Sequence, residues 1–438
     1  MTVDHGIACV AGVAAAKARG WQVLVTDHHL PGETLPPADA IVNPNQRGDA
    51  FPSKVLAGVG VMFYVLLALR RRLRAESAAV GPDLSVLLDL VAVGTVADLV
   101  PLDANNRALV GAGLRRLRAG QGCPGLRALI EVSGRDARTL TAADIGFGLA
   151  PRINAAGRLE DMALGIECLV TDDFGQASEI ARALNGINAE RRAVQQQMTD
   201  EAESAIARVA LDGNAVAAAL CLFDREWHPG VVGLVASKIK EKIHRPVIAF
   251  APSEPGSDML RGSARSIPGL HIRDALAAID AAHPGLLGKF GGHAMAAGLS
   301  LSLQDLPRFE QVLRAQVESM LDASLLQAEI LSDGPLQVHE FNLAVAEALR
   351  DGGPWGQGYP EPMFDGEFDV LGWRVVGERH LKMELALAGT RLNAIEFGGW
   401  GGQPPAARVR IAYRLEPDAY RGGENIQLVV LHREPASP

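Results

Sequence analysis

What this chain lacks narrows its class before any motif is read. It has four cysteines in 438 residues, Cys9, Cys123, Cys168 and Cys221, far apart and without a CxxC pair. That excludes a zinc ribbon or a disulfide framework and fits the reducing cytoplasm. No apolar run is built to span a membrane: the longest, 86–102, is interrupted by Asp89 and Asp98. No signal peptide is visible, because the first residues read as a strand carrying Asp4. Low-complexity tracts and internal repeats are missing too. So is an excess of positive charge, the formal net charge being −9. A nucleic-acid partner would therefore need a locally basic groove, although carboxylates that bind ions also contribute to the negative total. What is present is 48% hydrophobic residues in a chain long enough for two or three folded domains.

Residues 2–28 read as strand, helix, strand: Thr2-Val3 ends a strand, 6–19 is Ala-rich and helical, Gly20 stops it, and 21–26 is the next strand. This is half of a doubly wound unit with a right-handed crossover. A short strand and turn follow at 40–44, then a helix at 58–74 whose last turns carry Arg70, Arg71, Arg72 and Arg74. Those arginines suit the negative pole of the helix, or would touch phosphate. From Leu84 a further helix or strand leads to Asp98, 106–119 is helical, and 144–157 reads as a Gly-, Asn- and Arg-bearing loop beside a ligand. A polar helix at 174–210 has the character of an interdomain connector. A second α/β unit starts near Ala215, with strands at 217–223 and 246–251 and helices at 231–243 and 272–282. From about Leu331, alternating strands with Gly and Pro turns fit a small β-barrel of the OB type.

The chemistry concentrates at Asp27-His28-His29, directly after the apolar run 23–26. Asp4 and Asp98 are expected at equivalent strand exits, where ligands of open parallel sheets collect. Any one of these residues alone is as well explained by loop capping. Together they point to a metal cluster that activates water. Asp4, His28 and Asp98 suit Mn²⁺ better than Zn²⁺, since manganese accepts carboxylate with imidazole. Two ions about 3.5–4 Å apart clamp an in-line displacement at phosphorus; the first hundred residues show too few ligands for such a pair. Gly262-Ser263-Ala264-Arg265-Ser266 offers hydroxyls and a guanidinium fork suited to a terminal phosphate, or is a turn between strand and helix. Gly291-Gly292-His293 allows close backbone approach to a substrate, or is a Gly-rich turn capped by histidine.

In this order the pieces resemble the DHH phosphoesterase superfamily, and within it the RecJ family of bacterial single-strand exonucleases. Thr2-Val3-Asp4-His5-Gly6 is similar to the second motif of the superfamily, Thr26-Asp27-His28-His29-Leu30-Pro31 to the third, and Gly94-Thr95-Val96-Ala97-Asp98 to the fourth. Phe51-Pro52-Ser53-Lys54, Leu56-Ala57-Gly58-Val59-Gly60 and Arg152-Ile153-Asn154-Ala155-Ala156-Gly157-Arg158 resemble RecJ stretches. Gly291-Gly292-His293 is similar to the motif of the DHH-associated domain, and 353–358 to the start of the OB domain.

The resemblance implies an incomplete doubly wound DHH domain at 1–173, a connecting helix at 174–212, a DHH-associated α/β domain at 213–328 and an OB-like barrel at 329–438. It implies degradation of single-stranded DNA from the 5′ end to nucleoside 5′-monophosphates, with two Mn²⁺ or Mg²⁺ ions, in recombination and repair. Asp4 would bridge the metals, and His28 and Asp98 would bind one of them. Asp27 would orient the site, and His29 would hold the scissile phosphate or a metal-bound water. Ser263 and Arg265, with Ser266 beside them, would hold the 5′ phosphate; Arg152 and Arg158 would contact the strand, and His293 would lie near the scissile phosphate. Trp373, Phe397, Trp400 and Tyr413 are candidate stacking platforms or barrel core. A monomer is implied, with a helicase and a single-strand-binding protein as admissible partners.

The family's first motif, Asp-x-Asp-Ala-Asp-Gly, is not found, and Met1 abuts the second. The expectation is a mis-called start or a fragment, without a complete two-metal centre and therefore inactive or very weak alone. Two other readings compete. A small-substrate DHH hydrolase is disfavoured by the third domain, and a non-catalytic strand-binding scaffold by the retained metal ligands.

Overall fold

Short apolar segments at the start of the chain build a parallel sheet. In the computed structural model, which describes residues 1–76, 81–211, 217–418, 422–423 and 425–436, β1 (Thr2–Val3), β2 (Leu24–Thr26) and β3 (Ala40–Val42) lie side by side in that order. Thr2 pairs with Val25, and Leu24 with Ala40. α1 (Val10–Ala18) carries the chain from β1 to β2, and Gly20, at φ 78°, ends it in the region glycine favours. Val13 of this helix packs on Val23 and Val25, beside Ala38 and Ile41.

Four helices follow: α2 (Gly58–Glu76), α3 (Leu88–Ala97), α4 (Ala104–Arg118) and α5 (Pro124–Ser133). The strand expected before Asp98 is corrected here, because residues 88–97 are helical and Val91, Ala92, Val93 and Thr95 are buried. An apolar run buried all round has no periodicity to separate strand from helix, and ten residues is helix length. Gly113 of α4 permits the close approach of α3: a Cβ there would stand 2.2 Å from the Leu88 carbonyl oxygen and 2.4 Å from Ala92 Cβ.

The loop expected at 144–157 is also helical. A Thr141–Asp144 capping box opens α6 (Ala142–Asp144), a π turn spans Ile145–Leu149, and α7 (Ala150–Leu159) continues directly from it. α8 (Ala163–Val170) and α9 (Phe174–Leu211) complete this stretch. Met1–Pro151 and Cys168–Ala181 form one compact unit with Ile330–Pro438, whereas Arg152–Glu167 and Arg182–Glu329 form a second.

The second unit contains β4 (Leu220–Phe223), α10 (Val232–Ile243), β5 (Val247–Pro252), β6 (Met259–Arg265), α11 (Ile272–Ala282), β7 (Phe290–Gly292), β8 (Ala296–Ser302) and α12 (Leu306–Met320). Its sheet order is β4-β5-β6-β8-β7, parallel only between β4 and β5. Phe250 and Phe309 meet edge to face in its core, with ring centroids 5.9 Å apart. The segment 262–265, for which a turn was the alternative to a phosphate-binding role, is strand between β5 and β8. Gly262 is a packing glycine there, since a Cβ would come within 2.4 Å of the Phe250 ring. The boundary expected at 212/213 lies outside the described residues.

In the first unit, α13 (Leu343–Asp351) precedes β9 (Phe364–Val376), β10 (His380–Leu387), β11 (Thr390–Glu396), β12 (Arg408–Pro417) and β13 (Ile426–Pro435). These strands close as a barrel in the order β10-β11-β13-β12-β9, filled by Phe368, Leu381, Met383, Leu385 and Ile411. Tyr413 is 1% exposed and packs among Phe341, Phe364 and Phe368, so it is barrel core and no stacking platform. The segment leading into the barrel is tied to α4 and the loop before it. Leu102 N donates to the Gln357 carbonyl at 2.7 Å, and the Arg107 guanidinium lies 4.1 Å over the Tyr359 ring. Among the described residues no helix is long and apolar enough to cross a membrane.

Gly113→Ala should drive α3 off α4 and lower unfolding stability by about 2 kcal/mol, the usual scale of overpacking. Urea-unfolding midpoints check this, and an unchanged midpoint contradicts the close-packing account.

Candidate metal centre

A buried carboxylate organises the turn after β2. Asp27 is 1% exposed. Its Oδ2 accepts from Ile7 N at 2.8 Å, and its Oδ1 accepts from the backbone N–H groups of His28 and His29 at 2.7 and 3.0 Å. Oδ1 also meets His29 Nδ1 at 2.8 Å. An ionised carboxylate only accepts, so Nδ1 carries the proton and Nε2 of His29 keeps its lone pair. Burial pushes the Asp27 pKa up, but the donors of Ile7, His29 and His28 outweigh it and hold the group below its ordinary 3.8. A depressed carboxylate adds stability above the unfolded pKa, and that stability is lost as pH falls through the folded value.

The neighbouring strand braces the same turn. Asn43 Nδ2 donates to the His29 carbonyl at 2.9 Å and Asn45 Nδ2 to the His28 carbonyl at 2.6 Å, while Asn43 Oδ1 accepts from Asn45 N at 2.8 Å. The sequence reading took this segment only as strand and turn. The signal it passed over is Asn-Pro-Asn at the exit of a strand adjacent to β2.

His28 Nε2 is buried without a hydrogen-bond partner, although Asp4 Oδ1 is 3.0 Å away and Asp98 Oδ2 3.5 Å. Two carboxylate oxygens converging on a nitrogen with no hydrogen bond among them is an arrangement that fits a shared cation. Ligand atoms of Asp4, His28 and His29 also lie within 4.8 Å of one another. Burial pushes the His28 pKa down, but the Asp4 and Asp98 carboxylates outweigh it and raise it.

Asp4 leaves β1 at φ 62°, a conformation uncommon outside glycine. Gly58 starts α2 against it, and a Cβ at that position would stand 2.1 Å from Asp4 Oδ1. The glycine is therefore a spacing requirement of the ligand. Asp98 caps the C-terminus of α3, its N–H donating to the Gly94 carbonyl at 3.0 Å. A carboxylate at the negative end of a helix is disfavoured by about 0.3–1 kcal/mol until a cation compensates it.

The second unit gathers the anion-binding candidates. Arg265 Nε donates to Ser237 Oγ at 3.1 Å, and its Nη1 to Ser263 Oγ at 2.9 Å and the Ala264 carbonyl at 2.8 Å. Burial and the charge of Arg158 hold the Arg265 pKa below the usual guanidinium range. Arg158 Nη1 donates to the Gly230 carbonyl at 3.1 Å, and Arg152 Nε to Asn185 Oδ1 at 3.0 Å. Ser266 faces inward, 1% exposed, with its hydroxyl committed to the Leu270 carbonyl at 2.7 Å. His293 follows β7 and is exposed, its N–H donating to the Ala296 carbonyl at 2.8 Å. On the barrel, Trp373 stacks on Trp400 at 5.4 Å and Phe397 is exposed.

Comparison with known proteins places this geometry. Residues 1–95 match the DHH family N-terminal domain, 212–319 the DHHA1 domain and 332–432 the RecJ OB domain. The single-stranded-DNA-specific exonucleases RecJ of Salmonella typhimurium and of Escherichia coli K12 are each 50% identical over 98% of this chain, which spans 76% of either. The chain belongs to the RecJ exonuclease family. The crystal structure of RecJ from Thermus thermophilus in complex with Mn²⁺ superposes on all of it, with a TM-score of 0.83 and 32% identity, and the chain spans 62% of that protein. A second exonuclease RecJ structure, bound to manganese, covers 74% of this chain and is itself covered over 77%, at 36% identity and a TM-score of 0.58. The Thermus RecJ has also been determined with Mg²⁺.

Gly58→Ala should displace the Asp4 carboxylate and weaken divalent-cation binding about tenfold or more, the scale seen when support of a metal ligand is lost. Mn²⁺ titration followed by electron paramagnetic resonance checks this; an unchanged affinity contradicts the role given to Gly58.

Proposed function

We infer that this chain is a single-stranded-DNA-specific exonuclease that works from the 5′ end, releases nucleoside 5′-monophosphates by metal-dependent phosphodiester hydrolysis, and serves DNA recombination and repair. The observation that carries this reading is the convergence of Asp4 and Asp98 on the unpartnered Nε2 of His28, in a chain of the RecJ family. Asp4, His28 and Asp98 would hold one Mn²⁺ or Mg²⁺. A bound divalent ion supplies Lewis acidity at phosphorus and acidifies the attacking water. His29, fixed by Asp27, offers a ring nitrogen within 4.8 Å of the Asp4 and His28 ligand atoms, suited to accept a proton from the water or to contact the scissile phosphate. In the second unit, Ser263 and Arg265 would receive the terminal phosphate, with Arg152 and Arg158 on the strand. His293 would assist at the scissile phosphate, and Trp373, Phe397 and Trp400 would stack bases.

Among the described residues one group of three such donors lies close together, Asp4, His28 and His29 within 4.8 Å of one another, and Asp98 Oδ2 stands 3.5 Å from His28 Nε2. We therefore assign one ion to these donors. The domain limits that go with this reading are 1–173, 174–212, 213–328 and 329–438.

The expected behaviour is slow, Mn²⁺-dependent release of mononucleotides from 5′-phosphorylated single strands. Asp98→Ala should lower it at least ~100-fold while strand binding stays within about twofold, because the residue meets the ion and not the polymer. Rapid turnover by the unaltered chain contradicts the one-ion assignment. Cleavage that survives Asp98→Ala contradicts the site.

A further inference from the structure

One buried amide joins the two segments that carry or support the three ion ligands. Asn106, in the first turn of α4, is 0% exposed. Its Nδ2 donates twice, to the Val55 carbonyl at 2.8 Å and to the Pro101 carbonyl at 2.9 Å. Two acceptors on the same group settle which end of the amide is nitrogen, because an oxygen there would face two oxygens. The amide Oδ1 is buried without a hydrogen-bond partner. A buried acceptor left unmet costs about 1–3 kcal/mol, which offsets most of what two neutral hydrogen bonds contribute. What the amide supplies beyond that is geometry. Its own place is fixed, since Asp103 Oδ1 accepts from Asn106 N at 2.8 Å and Arg107 Nη1 donates to the Leu102 carbonyl at 2.8 Å.

Both carbonyls belong to segments of the metal centre. Val55 precedes Gly58 by three residues, and Pro101 follows Asp98 by three. Between Val55 and Gly58 stands Leu56, whose backbone hydrogen-bonds the His28 ring, and Gly58 itself packs against Asp4. On the other side, the chain leaves Asp98 at the end of α3 and turns through Leu99, at φ 58°, toward Pro101. We propose that Asn106 is a positioning residue for the divalent ion: its NH₂ group sets the distance between the 55–58 segment, which seats His28 and Asp4, and the Asp98 loop. This rests on the reading of Asp4, His28 and Asp98 as ion ligands. The three come from the ends of β1, β2 and α3, and ligand bond lengths tolerate only about 0.2 Å of error. One group bonded to both sides holds that tolerance, where two unconnected contacts would let their errors add.

The test is Mn²⁺ titration of the purified full chain followed by electron paramagnetic resonance, with Asn106→Leu, which keeps the side chain near its size and removes both donors. Affinity should fall about tenfold or more, the range for loss of a group that orients a metal ligand, and the spectrum of the bound ion should change with its ligand geometry. Leu129→Ala, a cavity at a fully buried position of α5, controls for lost stability and should leave the affinity within about twofold. Wild-type affinity in Asn106→Leu overturns the proposal, as does an equal loss in Leu129→Ala. If Asn106→Leu does not fold, Asn106→Ala, which leaves room for water at the two carbonyls, is judged by the same criterion. Failure of both to fold overturns the assignment, since the fold and not the ion then needs the amide. His28→Gln tests the underlying reading separately. Wild-type affinity there overturns the ion site itself, whereas abolished binding there with normal binding in Asn106→Leu overturns only the role of Asn106.

Discussion

The Asp27 carboxylate accepts from the backbone of Ile7, from the backbone of His28 and His29, and from the His29 ring, while almost wholly buried. Ile7 lies in the connection from β1 to α1, only three residues past Asp4. The same two oxygens therefore fix the exit of β2, the exit of β1 and the tautomer of a histidine. Without them three backbone N–H groups in or near the core would lose their partner, at about 1–3 kcal/mol for each that stays buried. The Asn43 and Asn45 amides close the turn from its carbonyl side, so the histidines have little freedom left.

Around that turn the ligands are set by packing more than by local preference. Asp4 takes a left-handed backbone and a place that only a glycine at position 58 leaves open. Asp98 arrives on a buried helix whose negative end it shares, and the close α3–α4 contact at Gly113 keeps that helix in place. A site with two carboxylates and an orphaned imidazole nitrogen is under electrostatic stress by itself, and a divalent cation relieves all of it at once.

Much of this was legible in the sequence, for identifiable reasons. β-Strand exits are marked by short apolar runs followed by acids, so Asp4 and the Asp27-His28-His29 turn were placed correctly. The barrel was readable from alternation over long strands such as β10 and β12. Asp98 was assigned to a strand because Leu88–Ala97 is apolar on every side and so has no informative period. Arg152 and Arg158 were assigned to a loop because glycine and asparagine suggest one, whereas tertiary packing overrides those weak propensities and the segment is helical. Gly262 is a packing glycine, dictated by the ring of Phe250 on the neighbouring strand, a contact that only the pairing of β5 with β6 creates. Asn43 and Asn45 were passed over although Asn-Pro-Asn marks a strand exit, since their partners, the His29 and His28 carbonyls, are brought near only by the fold.

The account depends on Asp27 ordering His28 and His29 so that one divalent ion is held with Asp4 and Asp98. The most direct measurement is an isothermal Mn²⁺ titration of the unaltered chain beside Asp27→Asn and His28→Gln. The account predicts one saturable site per chain, abolished in His28→Gln and weakened at least about tenfold in Asp27→Asn, the range for loss of a supporting hydrogen bond. Equal affinity and stoichiometry in all three proteins would contradict it.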